Sequence, residues 1–425
     1  MSKRTNPEGF SLRSIAIPAF GPSLLFGIGE GAILPVIPLS SIGMGSSLAG
    51  AALVVSLIGI GSLISNIPAS ILTARFGERV GMLGAALLSL SAMLICVFAR
   101  ELWLFAAGVF LIGAAAAVFN LARQSYLTEA VPPMLRARAM STLGGIGRIG
   151  LFAGPFIGAL VIHLVGLSGA YWVAAVAVAA AGGVAWGLPD LVSPASTAPG
   201  GTAPAIPGPG GPAPGEPAPG GPARRGPQPT VASLLVAHRR VFLTVGIGVL
   251  LVSAVRSSRQ VVLPLWADSL GLNPATTSLI YGLSGAIDML VFYPAGKIMD
   301  KKGRAAVAVP SMALMGLALL LMPLTTGAAT LMLAGLLIGF GNGIGSGLVM
   351  TLGADYSPRR GRARFLGIWR FLADSGGSSG PAILAGLTAA VSLSFGIAAS
   401  GLLGLAAAAV LWYWIPRNKD AISPE

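Results

Sequence analysis

Eight ionisable side chains stand inside otherwise apolar stretches of the chain: Glu30, Arg123, Arg148, Arg256, Arg259, Asp288, Arg370 and Asp374. Charges in such surroundings are costly and persist where they pair or face water. A carboxylate placed there gains or loses a proton according to its burial and the charges beside it. Competition between a proton and a cation for one such group is a workable way to couple two fluxes. Glu30, Asp288 and Asp374 are the candidates for that chemistry, and the five arginines are their candidate charge partners. Arg370 and Asp374 are four residues apart and can pair along one helix face. Arg123 lies near the end of its stretch, where a long side chain can snorkel to an interface.

Other chemistries find little support. The one cysteine, Cys96, sits in an apolar run and reads as packing. His163 and His238 lack the spacing of metal ligands, so neither a metal nor a cofactor is expected. No G-x-x-x-x-G-K-[ST] loop is present, which argues against ATP-driven work.

The elements that must position these charges follow from composition. Apolar residues make up 54% of the 425, and charged ones only 10%. A soluble domain carries about 25% charge, so lipid must be the outer solvent. Runs long enough to span a bilayer, about 20 residues, fall near 14–39, 47–73, 80–99, 102–127, 139–164 and 168–188. Six more fall near 241–266, 274–299, 305–325, 328–354, 365–389 and 394–415. The first run is too long for a cleaved leader and reads as span 1. Residues 189–230 are almost all Pro, Gly, Ala and Ser and read as a disordered linker. Leu234, Leu235 and Val236 beside His238, Arg239 and Arg240 then suggest a short amphipathic helix at the membrane surface.

Basic residues set the topology. Lys3/Arg4/Arg13, Arg75/Arg79, Arg136/Arg138, Arg224/Arg225/Arg239/Arg240, Lys301/Lys302/Arg304, Arg359/Arg360/Arg362/Arg364 and Arg417/Lys419 fall after every second span. The intervening loops hold Arg100 with Glu101, and Asp268. Both termini and the linker are therefore expected in the cytoplasm of a cell whose inner membrane holds the chain. The net charge of +13 belongs to these clusters, which argues against nucleic acid as a partner.

A shift of 226 residues superposes the two halves without gaps. It maps Pro38 to Pro264, Gly59 to Gly285, Pro68 to Pro294, Arg75 to Lys301 and Gly77 to Gly303. It also maps Glu129 to Asp355, Arg136 to Arg362, Gly150 to Gly376, Gly154 to Gly380 and Pro155 to Pro381. The expected architecture is an all-α polytopic membrane protein with twelve transmembrane helices. They form a bundle over 1–188, the linker 189–230, and a second bundle over 231–425. The same shift maps Glu30 to Arg256 and Arg148 to Asp374, so each repeat-related pair carries opposite charges.

Two parallel six-helix repeats describe the major facilitator fold, and the loop motifs make the resemblance specific. The family's loop between spans 2 and 3 reads roughly G-x-x-x-D-R-x-G-R-R. Here the copy between spans 8 and 9 is the fuller one, with Gly296, Asp300, Lys301, Gly303 and Arg304. The first copy has Ser70 and Ala74 for the Gly and Asp, then Arg75, Gly77, Glu78 and Arg79. Span 5 carries Gly150, Gly154, Pro155 and Gly158, similar to the Gly-Pro motif of drug:proton antiporters. The family's usual Arg four residues before Gly113 is Val109 here, so proton relays that lean on it do not carry over.

The resemblance implies a monomeric secondary transporter, not an enzyme. It implies proton-coupled efflux of a small organic molecule, such as a drug or metabolite, by alternating access, as in multidrug resistance. A symporter working in the uptake direction and a non-transporting receptor are the other readings. Spans 5 and 8 adjoin in this family, and Arg148 and Asp288 lie at similar depth, so they are expected to pair. Glu30 is expected to face the central cavity and to pair with Arg256 while that cavity opens inward.

The linker generates a prediction from composition alone. Deleting residues from about Thr197 to Ala223 should leave insertion and transport nearly unchanged, because a flexible chain need only bridge the halves. Loss of flux in a well-folded deletion variant would assign this segment a regulatory role.

Overall fold

The computed structural model describes residues 16–131, 136–187, 230–358 and 361–418. The linker, apart from Thr230, lies outside the described residues, as do Lys3, Arg4, Arg13, Arg224, Arg225, Arg359, Arg360, Lys419 and the side chains of Arg136 and Arg138.

Long runs of Leu, Ala, Gly and Val form helices because only internal backbone hydrogen bonds are available in hydrocarbon. In the first half these are α1 (Ala16–Ile33), α2 (Ile37–Gly43), α3 (Leu48–Phe76), α4 (Glu78–Phe98), α5 (Leu102–Ala130), α6 (Arg136–Val165) and α7 (Ser168–Trp186). The short α8 (Val231–Ala237) and α9 (Arg239–Val241) follow. The second half continues with α10 (Ile247–Ser269), α11 (Pro274–Lys302), α12 (Ala305–Leu321), α13 (Ala328–Ile344), α14 (Leu348–Tyr356), α15 (Arg362–Ala390) and α16 (Leu393–Arg417). Among the described residues, eleven helical stretches are long and apolar enough to cross a membrane. The remaining long helix, α15, is 29 residues long and more polar, because it carries Arg370, Asp374 and a run of Ser and Gly. Side-chain caps begin α3, α11 and α16, where Ser47, Asn273 and Ser392 accept from the backbone N–H three residues on.

Two of the sequence-read spans are broken. Span 1 divides at Leu34–Val36 into α1 and α2. Pro35 and Pro38 both lack the amide that would continue the ladder. The repeat mate of Pro38, Pro264, stands alone inside a continuous α10. Span 10 divides at Gly345–Gly347 into α13 and α14, with Gly347 at φ +82°, a conformation that costs glycine nothing. The amphipathic segment before span 7 forms α8, which buries Leu234 and exposes Leu235 and Val236. His238 then meets the Phe365 ring edge-on at 5.4 Å.

Close seams join the helices within each half. Gly150 and Gly154 of α6 lie directly on the α1 backbone, where an added Cβ would meet the Leu24 and Ile28 carbonyls. Gly27 and Gly31 of α1 return the contact on Gly147 and Leu151. The repeat reproduces the seam, with Gly376 and Gly380 of α15 against the Leu250 and Ala254 carbonyls of α10. The halves meet along α3 with α15 and along α6 with α11.

The apolar core shows which end of the bundle is sealed. Ile33, Val36, Ile37 and Val55 share one buried cluster with Val261, Val262, Leu265 and Ile280, so the core there crosses both halves. Toward the other end, the first half's clusters around Phe26 and Phe119, and around Phe20 and Leu127, hold first-half residues alone. That other end carries Arg75, Arg79, Lys301, Lys302, Arg304, Arg362 and Arg417 and is called the basic face below.

A bulky residue at the α1–α6 seam should separate the helices. Gly154→Leu should destabilise by more than the about 1–3 kcal/mol of ordinary overpacking, because the obstructing atoms are backbone. Gly144→Leu, on the same helix with open space around it, should be neutral. Thermal denaturation in detergent followed by size exclusion separates the two outcomes.

Candidate functional site

A cavity of about 460 Å³ lies between the halves, with a neighbouring one of about 370 Å³ that shares Ser62, Leu63, Asn120 and Asp374 with it. The second reaches toward the basic face through Asn66, Gln124, Gly367 and Arg370. Arg370 and Phe371 are exposed there. The cavity is thus open toward the basic face and closed at the opposite one by the shared core.

Six helices place the charged and polar groups. From α1 comes Glu30, which lines the cavity and has no hydrogen-bond partner among the described residues. From α10 come Ser253, Arg256, Ser257 and Gln260, at the i, i+3, i+4, i+7 spacing of one helix face. Arg259 lines it from the same helix, Asp374 and Ser378 from α15, Asn120 from α5, Ser56 and Ser62 from α3, and Asn342 from α13.

Asp288 of α11 is the hub of the second half. Its Oδ2 accepts from Asn342 Nδ2 at 2.5 Å and from Arg259 at 3.4 Å. Its Oδ1 is buried without a partner. Arg256 donates to the Asn342 carbonyl at 3.0 Å, and its Nε is likewise unpartnered. That carbonyl is free because α13 ends there: the Ser346 amide bonds instead to Gly343. The freed C-terminal carbonyls of a broken helix are the negative end of its dipole and suit a cation.

Three expectations about pairing need comment. Asp288 forms its ion pair with Arg259, not with Arg148. Arg148 stands over the Phe292 ring at 4.5 Å and feels Asp288 only at longer range. A cation over an aromatic face is an adequate substitute when the carboxylate is already taken. Glu30 and Arg256 line one cavity but form no ion pair, since Arg256 is held by Asn342. The cation acting on Glu30 is Arg123, which turns inward beside Phe119 instead of snorkelling outward. Arg370 and Asp374 do pair along their helix at 3.7 Å. Asn342 and Phe292 escaped the sequence reading. The one signal for Asn342 was an amide within an otherwise apolar run.

The loop motifs occupy the basic face. Gly77 and Gly303 make the turns into α4 and α12 at φ +84° and +87°, so the motif's shared glycine is a backbone requirement. In the second copy Arg304 clasps Asp355 with two nitrogens, at 2.7 and 3.3 Å. It also reaches Asp300 at 3.4 Å and the Met299 carbonyl at 3.2 Å. Hydrogen bonding to Asp355 raises the Arg304 pKa above the ordinary arginine value. Gly296 has open space around it, and Lys301 and Lys302 are exposed. In the first copy the position of Arg304 is Glu78, which is buried and accepts from Ser125 at 2.8 Å. Arg79 bonds to the Trp186 carbonyl, and Arg75 lies over the Phe76 ring. In the second half the motif thus closes an ionic clamp between Arg304 and Asp355.

A helical membrane bundle with a polar cavity between its halves, closed at one end and open at the other, is the architecture of a solute transporter. The sequence model of the Major Facilitator Superfamily matches residues 20–381 and 245–425. The chain belongs to that superfamily and is a secondary transporter, not an enzyme. A segment of 111 residues is 29% identical to YhjO, an MFS-type transporter of Bacillus subtilis (strain 168), covering 26% of this chain and 28% of that protein. The fold is shared with a bacterial homolog of the human lysosomal transporter Spinster, solved inward-facing and unoccupied (TM-score 0.73, 13% identity, 94% of this chain and 96% of that one). It is shared also with a D-xylose-proton symporter (TM-score 0.68, 16% identity, 98% and 100%). A third is the nucleoside transporter NupG (TM-score 0.68, 12% identity, 95% and 99%).

The hub makes a discriminating prediction. Asp288→Leu leaves Arg259, Arg256 and Arg148 uncompensated and should cost roughly 3 kcal/mol. Adding Arg259→Met should recover part of that loss, whereas adding Arg148→Met should recover little. Denaturation midpoints of the single and double variants give the coupling. The reverse order would make Arg148 the partner of Asp288.

Proposed function

We propose that the chain is a proton-coupled carrier of a small organic solute that works by alternating access. Glu30 is its coupling carboxylate. The observation that carries this reading is Glu30 itself: an acid on a cavity-lining helix, with no hydrogen-bond partner among the described residues, at the level where the halves separate. A carboxylate that is free in one state and screened in the other changes its proton affinity between states. The seams α3–α15 and α6–α11 are the surfaces along which the halves rock. The basic face lies in the cytoplasm by the positive-inside rule, which makes this the inward-open state in the inner membrane. The protein acts as a monomer, because the cavity is completed within one chain.

Two directions of coupling have specific support. Export by antiport rests on the likeness of Gly150, Gly154, Pro155 and Gly158 to the antiporter motif. These glycines also serve a packing seam that the second half repeats. Uptake by symport is supported by the arginines around the cavity, since a proton on Glu30 makes the site more favourable to a negative solute. In the first case proton and solute exclude each other; in the second they bind together.

The test uses proteoliposomes with a pH-sensitive dye inside. Adding transported solute outside should move protons: acidification of the lumen indicates symport, and alkalinisation indicates antiport. Glu30→Gln mimics a permanently protonated group. It should abolish solute-driven proton movement while the protein stays folded and inserted. Wild-type proton coupling in that variant would remove Glu30 from the role and pass it to Asp288 or Asp374.

A further inference from the structure

Five arginines line or adjoin the cavity: Arg123, Arg148, Arg256, Arg259 and Arg370. Only three carboxylates, Glu30, Asp288 and Asp374, stand among them. Several of these charges are already accounted for. Arg370 and Asp374 form their own pair. Arg123 lies over the Phe119 ring and acts on Glu30 only through its field. Arg148 rests on the Phe292 ring. Arg256 has no carboxylate of its own, and Arg259, three residues on along the α10 wall of the cavity, shares Asp288 with Asn342.

Neither of these two guanidinium groups is fully engaged. Arg256 has the Asn342 carbonyl, a neutral acceptor, and its Nε has nothing. Arg259 reaches Asp288 Oδ2 at 3.4 Å, well beyond the about 2.7–2.9 Å of a strong charge-assisted bond. The same oxygen already takes Asn342 at 2.5 Å. An arginine fork carries five donors, so both retain N–H groups for a ligand. The rest of the wall mixes hydroxyls and amides of Ser62, Ser257 and Asn120 with apolar Val55, Ile58 and Ala116. A volume of about 460 Å³ suits a small organic molecule.

We propose that this cavity binds an organic carboxylate held by Arg256 and Arg259, with Arg256 itself positioned by the Asn342 carbonyl at the end of the broken helix α13. The geometry favours a planar, two-oxygen anion because arginine forks match that shape bidentately. The inference rests on the transporter reading and reverses the sequence-based expectation of a cationic solute. It also selects the symport branch, since a proton added to the site strengthens, and does not oppose, binding of an anion.

Three aromatic probes of similar size but different charge test it: benzoate, benzamide and benzylammonium. Each is added to the purified full-length protein in lipid nanodiscs, and the unfolding midpoint is followed with concentration. Benzoate should stabilise, and the other two should not. Arg256→Met should remove the benzoate effect. Arg256→Lys, which keeps the charge and loses the fork, should weaken binding about 10-fold and guards against a misfolded Met variant. Stabilisation by benzylammonium, equal stabilisation by all three, or stabilisation by none overturns the proposal. In proteoliposomes, proton movement driven by benzylammonium would keep the transporter reading and end this one. Absence of proton movement with every probe, despite benzoate binding, would instead end the coupling reading and leave the anion site standing.

Discussion

Hydrocarbon offers no hydrogen bonds, and everything in this protein is arranged around that lack. Backbone groups answer it with helices. Helices stop inside the bundle at Leu34–Val36 and at Gly345–Gly347, and there backbone groups lose their regular helical partners. The Asn342 carbonyl is the clearest case, because the helix break that releases it also supplies the partner for Arg256. A defect in regular structure and a buried charge thus solve each other's problem, and they do so at the wall of the solute cavity.

The same constraint explains the glycines. Between helices in lipid no hydrophobic effect drives association, so contact must come from close approach of backbones. The seams of α1 with α6 and of α10 with α15 are built this way, at repeat-related positions. They stiffen each half internally. The contacts between halves are fewer, and toward the basic face the buried clusters of the first half stop at its own boundary. Two rigid bodies joined by a limited surface can rock, which alternating access requires.

The halves are related in sequence but not in how they hold their ends. Arg304 and Asp355 form a bidentate clasp that ties the α11–α12 turn to the end of α14. At the position equivalent to Arg304 the first half carries Glu78, which accepts from Ser125.

Much of this was legible in the chain. Apolar run length gave the spans, the basic clusters gave their alternation, and the 226-residue shift gave the repeat, because each rests on local composition and order. Arg370 and Asp374 were paired correctly for the same reason, since helical spacing alone brings them together. The partners of Glu30, Arg148 and Asp288 were not legible. Each had several opposite charges at similar depth, and depth is all that position along a span reveals. Rotation of each helix, set by the glycine seams, and the break after Asn342 decide which side chains meet. Those angular choices come from packing across the whole bundle, so only the tertiary structure could assign Arg259 to Asp288, Arg123 to Glu30, and leave Arg256 facing the cavity.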